Sequence, residues 1–143
     1  MREFGKYGLV IVFYLLLGNS WAQQVKVESP VRFLALGDSY TIGQSVPIED
    51  RWPEQLAKRL QTWGVEVEKL SIIAQTGWTT RQLIRGIELQ NPQGTYDLVS
   101  LLIGVNNQYR KQDTATYRTE FRELLHMAIA FADDKPTHVI VVV

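Results

Sequence analysis

Three short segments carry the residues whose types and spacing could do chemistry: residues 37–43 (GDSYTIG), 75–80 (QTGWTT) and 104–107 (GVNN). Ser39 is a nucleophile in search of activation. Gly37 allows a sharp exit from the preceding strand and Gly43 a tight return, which sets Ser39 at the start of a helical turn whose free N–H groups favour negative charge. Gly77 has no side chain, so its backbone N–H can approach a ligand closely. Asn106 offers a neutral amide NH₂. A serine oxygen, the backbone donors of Ser39 and Gly77 and the Asn106 amide amount to a nucleophile facing an oxyanion hole. Ser39 alone could equally be a helix cap, and Asp38 suits holding its loop together better than acid–base work.

Composition removes the main alternatives. The 143 residues hold no cysteine and two histidines, so thiolate chemistry, disulfides and cysteine-based metal sites are out, and a histidine-rich metal site is disfavoured. No cofactor is implied. Fifteen basic residues balance fifteen acidic ones, which argues against a nucleic-acid partner. The sequence has no G-x-S-x-G elbow, phosphate-binding G-x-x-x-x-G-K-[ST] loop, G-x-G-x-x-G or H-E-x-x-H.

The elements that must position the three segments follow from the hydrophobic pattern. Residues 1–22 read as a secretory signal: Arg2 and Lys6 precede a nine-residue apolar run at 9–17, too short to span a membrane, and Ser20-Trp21-Ala22 predicts cleavage after Ala22 and a secreted or periplasmic protein. Residues 23–143 then form one α/β domain. Strands are expected at 31–36, within 65–74, at 98–103 and at 139–143, the third apolar enough to be buried on both faces. Helices alternate with them. Pro53 opens the first, with Leu56, Leu60 and Trp63 at helical spacing and Gly64 at its end. Thr79 and Gln82 form a capping box for the second, which buries Leu83, Ile84 and Ile87. Asp113 or Thr114 caps the third, whose buried stripe is Tyr117, Phe121, Leu124, Leu125, Ala128 and Ala132. Alternating strands and helices predict a parallel sheet in three α/β/α layers, and a flavodoxin-like strand order 2-1-3-4 brings Ser39, Gly77 and Asn106 to one spot beyond the carboxyl ends of the strands.

These segments, in this order over residues 31–143, resemble the SGNH, or GDSL, family of ester hydrolases. The resemblance implies that fold, with Ser39 as nucleophile, Gly77 and Asn106 completing the oxyanion hole, and a small-molecule acyl ester of carbohydrate or lipid as substrate. Tyr40 stands where the family name has Leu, and Asn107 where many members have Asp. The family's closing Asp-x-x-His block, which supplies the general base, is absent: Asp134 and His138 are four apart, with Pro136 between them and ahead of the fourth strand. His126 and His138 read as surface residues. The expectation is therefore a C-terminally truncated front part of an esterase, inactive as it stands, or an exported non-catalytic relative that binds acylated glycan or lipid. Tyr40, Trp78 and Tyr109 could line a substrate pocket or pack in the core; Arg110 and Lys111 read as a solvated pair without a role.

Overall fold

The computed structural model describes residues 30–142; residues 1–22, expected from the sequence to be a secretory signal, lie outside the described residues. Four parallel strands, β1 (Val31–Gly37), β2 (Val67–Ala74), β3 (Leu98–Leu102) and β4 (Val139–Val141), form one sheet in the order β2-β1-β3-β4. This is the order the sequence implies. Between the strands run α1 (Ser39–Ile42), α2 (Trp52–Thr62), α3 (Thr80–Gln90), α4 (Val105–Tyr109) and α5 (Thr114–Phe131), with 3₁₀ turns at Ile48–Asp50 and Pro136–His138.

Side chains alternate across a strand, and β1 uses both faces. Leu34 and Leu36 join Ile73, Val99 and Leu101 beneath α3 and α5, which contribute Leu83, Ile84, Ile87, Leu124, Ala128 and Ala132. Val31, Phe33 and Ala35 face the other way, against Trp52 and Leu56 of α2. Burying both faces explains why β1 and β3 read as near-continuous apolar runs. Helix ends follow local chemistry. Asp113 is the cap of α5, its carboxylate accepting from the Thr116 N–H at 2.8 Å and hydroxyl at 3.0 Å. Those bonds hold its carboxyl below the ordinary value.

Burial departs from the hydrophobic pattern at two places. Trp63 shares helical spacing with Leu56 and Leu60, but it is 68% exposed, because the helix ends at Thr62 and Trp63 falls on its C-cap. The α5 stripe, conversely, includes a carboxylate, Glu120, which is buried and bound by Thr80 and Arg81.

The sheet register is what positions the site. Gly37, the last residue of β1, pairs with Ala74 on one side and Leu102 on the other. The loops that follow all three strands therefore start at one level. Gly37 is also sterically required: a Cβ there would lie 2.0 Å from Thr41 Oγ1 and 2.6 Å from the Leu102 carbonyl oxygen. The Thr41 side chain can rotate away; the β3 backbone cannot without breaking the pairing. Gly37→Ala is expected to destabilise the fold by about 3 kcal/mol, the upper end of ordinary overpacking penalties, read as a lowered urea midpoint. An unchanged midpoint would show that the β1–β3 junction is slack.

Candidate active site

The first segment turns immediately after β1. Asp38 is fully buried and caps α1, its Oδ1 accepting from the Tyr40 N–H at 3.0 Å. Ser39 is thereby the first residue of α1 and is half-buried, with its neighbour Tyr40 63% exposed. The second segment, after β2, is a β-turn from Gln75 to Trp78, closed by the Trp78 N–H on the Gln75 carbonyl at 3.2 Å. Gly77 has φ +78°, the value that the third position of a type II turn demands and that glycine adopts without strain. The third segment is α4, which carries Asn106 in its first turn.

One side chain joins all three. The Asn106 Nδ2 donates to the Trp78 carbonyl at 2.9 Å and to Asp38 Oδ2 at 3.3 Å. Asn106 thus touches the residue before Ser39 and the residue after Gly77, as convergence beyond the strand ends requires. Both Nδ2 hydrogens have acceptors within the protein.

A second layer of polar residues backs the site. Asn107, buried, accepts from the Thr80 N–H at 3.1 Å and donates to Thr80 Oγ1 at 2.7 Å and Gln112 Oε1 at 2.9 Å. The Thr80 hydroxyl donates in turn to Glu120, whose other oxygen pairs with Arg81 at 3.0 Å. The capping box expected from Thr79 and Gln82 is formed, with the Thr79 N–H on Gln82 Oε1 at 3.1 Å. Arg110, which reads from sequence as merely solvated, donates to the Gly77 carbonyl at 2.6 Å and to Gln82 Oε1 at 3.3 Å. Neither Arg110 nor Glu120 has a sequence signal beyond helical spacing: Arg110 follows Asn106 by one helical turn, and Glu120 lies between Tyr117 and Leu124 on the inward stripe.

The aromatic residues go to different places. Trp78 packs over α3 against Gly86, where a Cβ would lie 2.2 Å from the indole ring, and joins the core. Tyr109 is 86% exposed. Tyr40 lines a cavity of about 740 Å³ beside the carboxyl end of β3, walled by Leu102, Val105, Tyr117, Phe121 and Val142. Ser39, Gly77 and Asn106 do not line it themselves, but Tyr40 and Val105 are chain neighbours of Ser39 and Asn106. Burial pushes the Tyr117 phenol above its ordinary value. His126 is exposed on α5, and His138 precedes β4 at the amino end of that strand, away from Ser39. Among the described residues no cluster of three or more His, Cys, Asp and Glu side chains could hold a metal ion, and no helix is long and apolar enough to cross a membrane.

Residues 35–143 match the sequence model of the GDSL-like Lipase/Acylhydrolase family. Solved structures share the fold. AlinE4, an SGNH-hydrolase family esterase, superposes with a TM-score of 0.61 at 21% identity over 70% of this chain and 54% of its own. TesA gives 0.63 at 20% identity over 71% and 56%. The lipase/acylhydrolase of Enterococcus faecalis gives 0.57 at 21% identity over 78% and 55%. The chain spans a little over half the length of these proteins. No curated protein sequence matches it significantly.

Asp38 gives the site a pH signature. Burial raises its carboxyl above the ordinary value, against the lowering effect of the Tyr40 N–H and the Asn106 amide. Between the ordinary and the raised value the folded protein keeps a proton that the unfolded chain has lost. Stability should therefore fall as pH rises through that window and be flat above it. Asp38→Asn removes the ionisation. The difference in urea midpoint between wild type and this variant is expected to shift in the variant's favour as pH rises from about 3.5 towards 7. A difference independent of pH would show that Asp38 titrates normally in the folded state.

Proposed function

From the chain's membership of the GDSL-like lipase/acylhydrolase family, we propose that it is the serine-bearing part of a carboxylic-ester hydrolase, with Ser39 as nucleophile. The observation that carries this reading is the Asn106 amide, hydrogen-bonded at once to Asp38 beside Ser39 and to Trp78 beside Gly77. Ser39 attacks the ester carbonyl, its Oγ–C bond forms, and the carbonyl oxygen becomes an oxyanion. The Ser39 and Gly77 N–H groups and the Asn106 Nδ2 surround that charge. Collapse expels the alcohol, which takes up the proton lost by Ser39, and water then releases the acyl group by the same route in reverse.

Serine is weak at its own pKa and needs a base. We place that base on a histidine outside residues 1–143, since His126 and His138 both lie away from Ser39. Residues 1–143 alone are then expected to be inactive. The apolar cavity beside Tyr40 supports small acyl esters of carbohydrate or lipid as substrates, the acyl group against Leu102, Val105 and Phe121. Residues 1–22 support export, with the protein acting in the periplasm or outside the cell.

The test is hydrolysis of p-nitrophenyl acetate by the product of the complete reading frame. Ser39→Ala is expected to abolish turnover while leaving the thermal melt unchanged, and Asn106→Ala to lower kcat by roughly 10²–10³. Turnover that survives Ser39→Ala would overturn the assignment. Tight retention of acylated glycan without any turnover would move the protein to a non-catalytic binding role.

A further inference from the structure

We propose that Asn107 is a positioning residue that sets the rotation of α4 and so aims the Asn106 amide, an inference that rests on the oxyanion-hole reading above. The helix α4 has five residues, too few to hold itself in place by its own backbone bonds. Its placement has to come from outside. Its apolar residues do not supply it, since Val105 and Tyr109 are exposed, as is Gln108. The buried residue of α4 is Asn107. Successive residues of a helix point about 100° apart around its axis, so fixing the direction of one side chain fixes that of the next.

Both ends of the Asn107 amide are tied. Its Oδ1 accepts the Thr80 N–H at 3.1 Å, and its Nδ2 donates to Thr80 Oγ1 at 2.7 Å and to Gln112 Oε1 at 2.9 Å. Thr80 is the first residue of α3, where a backbone N–H has no partner within its own helix. The Thr80 hydroxyl is held in turn by the buried Glu120 of α5. Asn107 therefore grips a helix start that is itself fixed. One residue earlier, Asn106 holds the Trp78 carbonyl at 2.9 Å, so adjacent side chains of α4 clasp residues 78 and 80. The two are not equivalent. Both Nδ2 hydrogens of Asn106 have acceptors in the protein, so an oxyanion takes one only if Asn106 gives up a bond. A side chain that exchanges a partner during turnover cannot also be what holds its helix in register. None of the bonds of Asn107 is needed by the reaction. Arg110 also reaches back, from the C-cap to the Gly77 carbonyl at 2.6 Å, but through a long exposed side chain, a loose restraint on rotation.

The test is a double-mutant cycle in the product of the complete reading frame: wild type, Asn107→Asp, Asn106→Ala and the pair, assayed on p-nitrophenyl acetate. An aspartate has the shape of asparagine and still accepts the Thr80 N–H, but as a carboxylate it has no hydrogen for Thr80 Oγ1. Asn107→Asp is expected to lower kcat by about tenfold, less than the roughly 10²–10³ lost with the donor itself, at little change in KM. In the Asn106→Ala background the same substitution should cost less than about twofold, because a residue that acts through Asn106 then has nothing to act on. Adding Glu120→Gln to Asn107→Asp should restore kcat to within about threefold of wild type: the new amide gives Thr80 Oγ1 its hydrogen and frees the Thr80 hydroxyl to donate to the aspartate. Equal losses in both backgrounds, a rise in KM alone, an unchanged kcat, or no recovery with Glu120→Gln would each overturn the proposal. If Asn107→Asp does not melt cooperatively, Asn107→Ser, too short to reach Thr80, takes its place in the cycle with the same expectation. If wild type shows no Ser39-dependent hydrolysis, the esterase reading falls. The crystal structure of Asn107→Asp then decides alone: Asn106 Nδ2 still within about 3.5 Å of the Trp78 carbonyl oxygen overturns the aiming role, and a broken contact sustains it.

Discussion

A carboxylate taken wholly out of water must be given hydrogen-bond donors, and much of the site's arrangement follows from how Asp38 gets its own. One donor is local, the Tyr40 N–H, and taking it makes Asp38 the cap that starts α1 at Ser39. The other comes from 68 residues along the chain, the Asn106 amide. A buried group with one donor on its own loop and one on a distant loop acts as a cross-link between them. The sheet register makes the cross-link possible, because Gly37 pairs with Leu102 and so sets the turns after β1 and β3 at one level. The lowering influence of these donors does not cancel the desolvation of Asp38, whose carboxyl stays above its ordinary value. The cross-link is thus held in place by the surrounding packing and does not gain its stability from charge.

The polar layer behind the site obeys the same accounting of donors and acceptors, and it explains why an amide stands at 107 where many GDSL-type sequences have a carboxylate. The Thr80 hydroxyl has one hydrogen, and it goes to Glu120. The Thr80 oxygen must then accept, and the Asn107 Nδ2 supplies the hydrogen at 2.7 Å. An aspartate at 107 would supply none. It would leave Thr80 between two carboxylates with one hydrogen to share, and add a second negative charge beside Glu120 in a buried region. The layer tolerates one carboxylate; this chain puts it on α5, where Arg81 can also reach it from the surface. Asn107 and Glu120 are in this sense a single choice, made on two elements that meet at the start of α3.

The parts of this arrangement that can be read from the sequence are those in which one residue type has one dominant use. Strand order follows from alternation of strands and helices, and the capping box at Thr79 and Gln82 from a spacing that does little else. The convergence of the serine, glycine and asparagine segments follows from strand order together with their places after successive strands. What stays hidden depends on distances across the sheet. Arg110 looks like half of a solvated pair because nothing local shows that its fork reaches back 33 residues to Gly77. The burial of Glu120 has no local sign because the partners that compensate it are on α3, 40 and 39 residues earlier. Trp63 fails for the opposite reason: its spacing is correct for a helix, but the helix ends one residue too soon. Trp78 and Tyr40 are both aromatic and both next to candidate site residues, yet the hole left by Gly86 draws one inward and leaves the other at the cavity.

Counting hydrogens at Asn106 adds a constraint on how the site could work. Its Nδ2 carries two, and at rest one faces the Trp78 carbonyl at 2.9 Å and the other Asp38 at 3.3 Å. An oxyanion that takes a hydrogen from this amide must compete with one of these acceptors. The bond to Trp78 is shorter and helps hold the Gly77 turn, so the longer bond to Asp38 is the one to yield. Asp38 would then lose the Asn106 donor and keep the Tyr40 N–H at the moment a second negative charge develops nearby, and both effects favour its protonated form. A protonated Asp38 carries no charge to oppose an oxyanion, and its remaining acceptor draws on the amide more weakly than a carboxylate does.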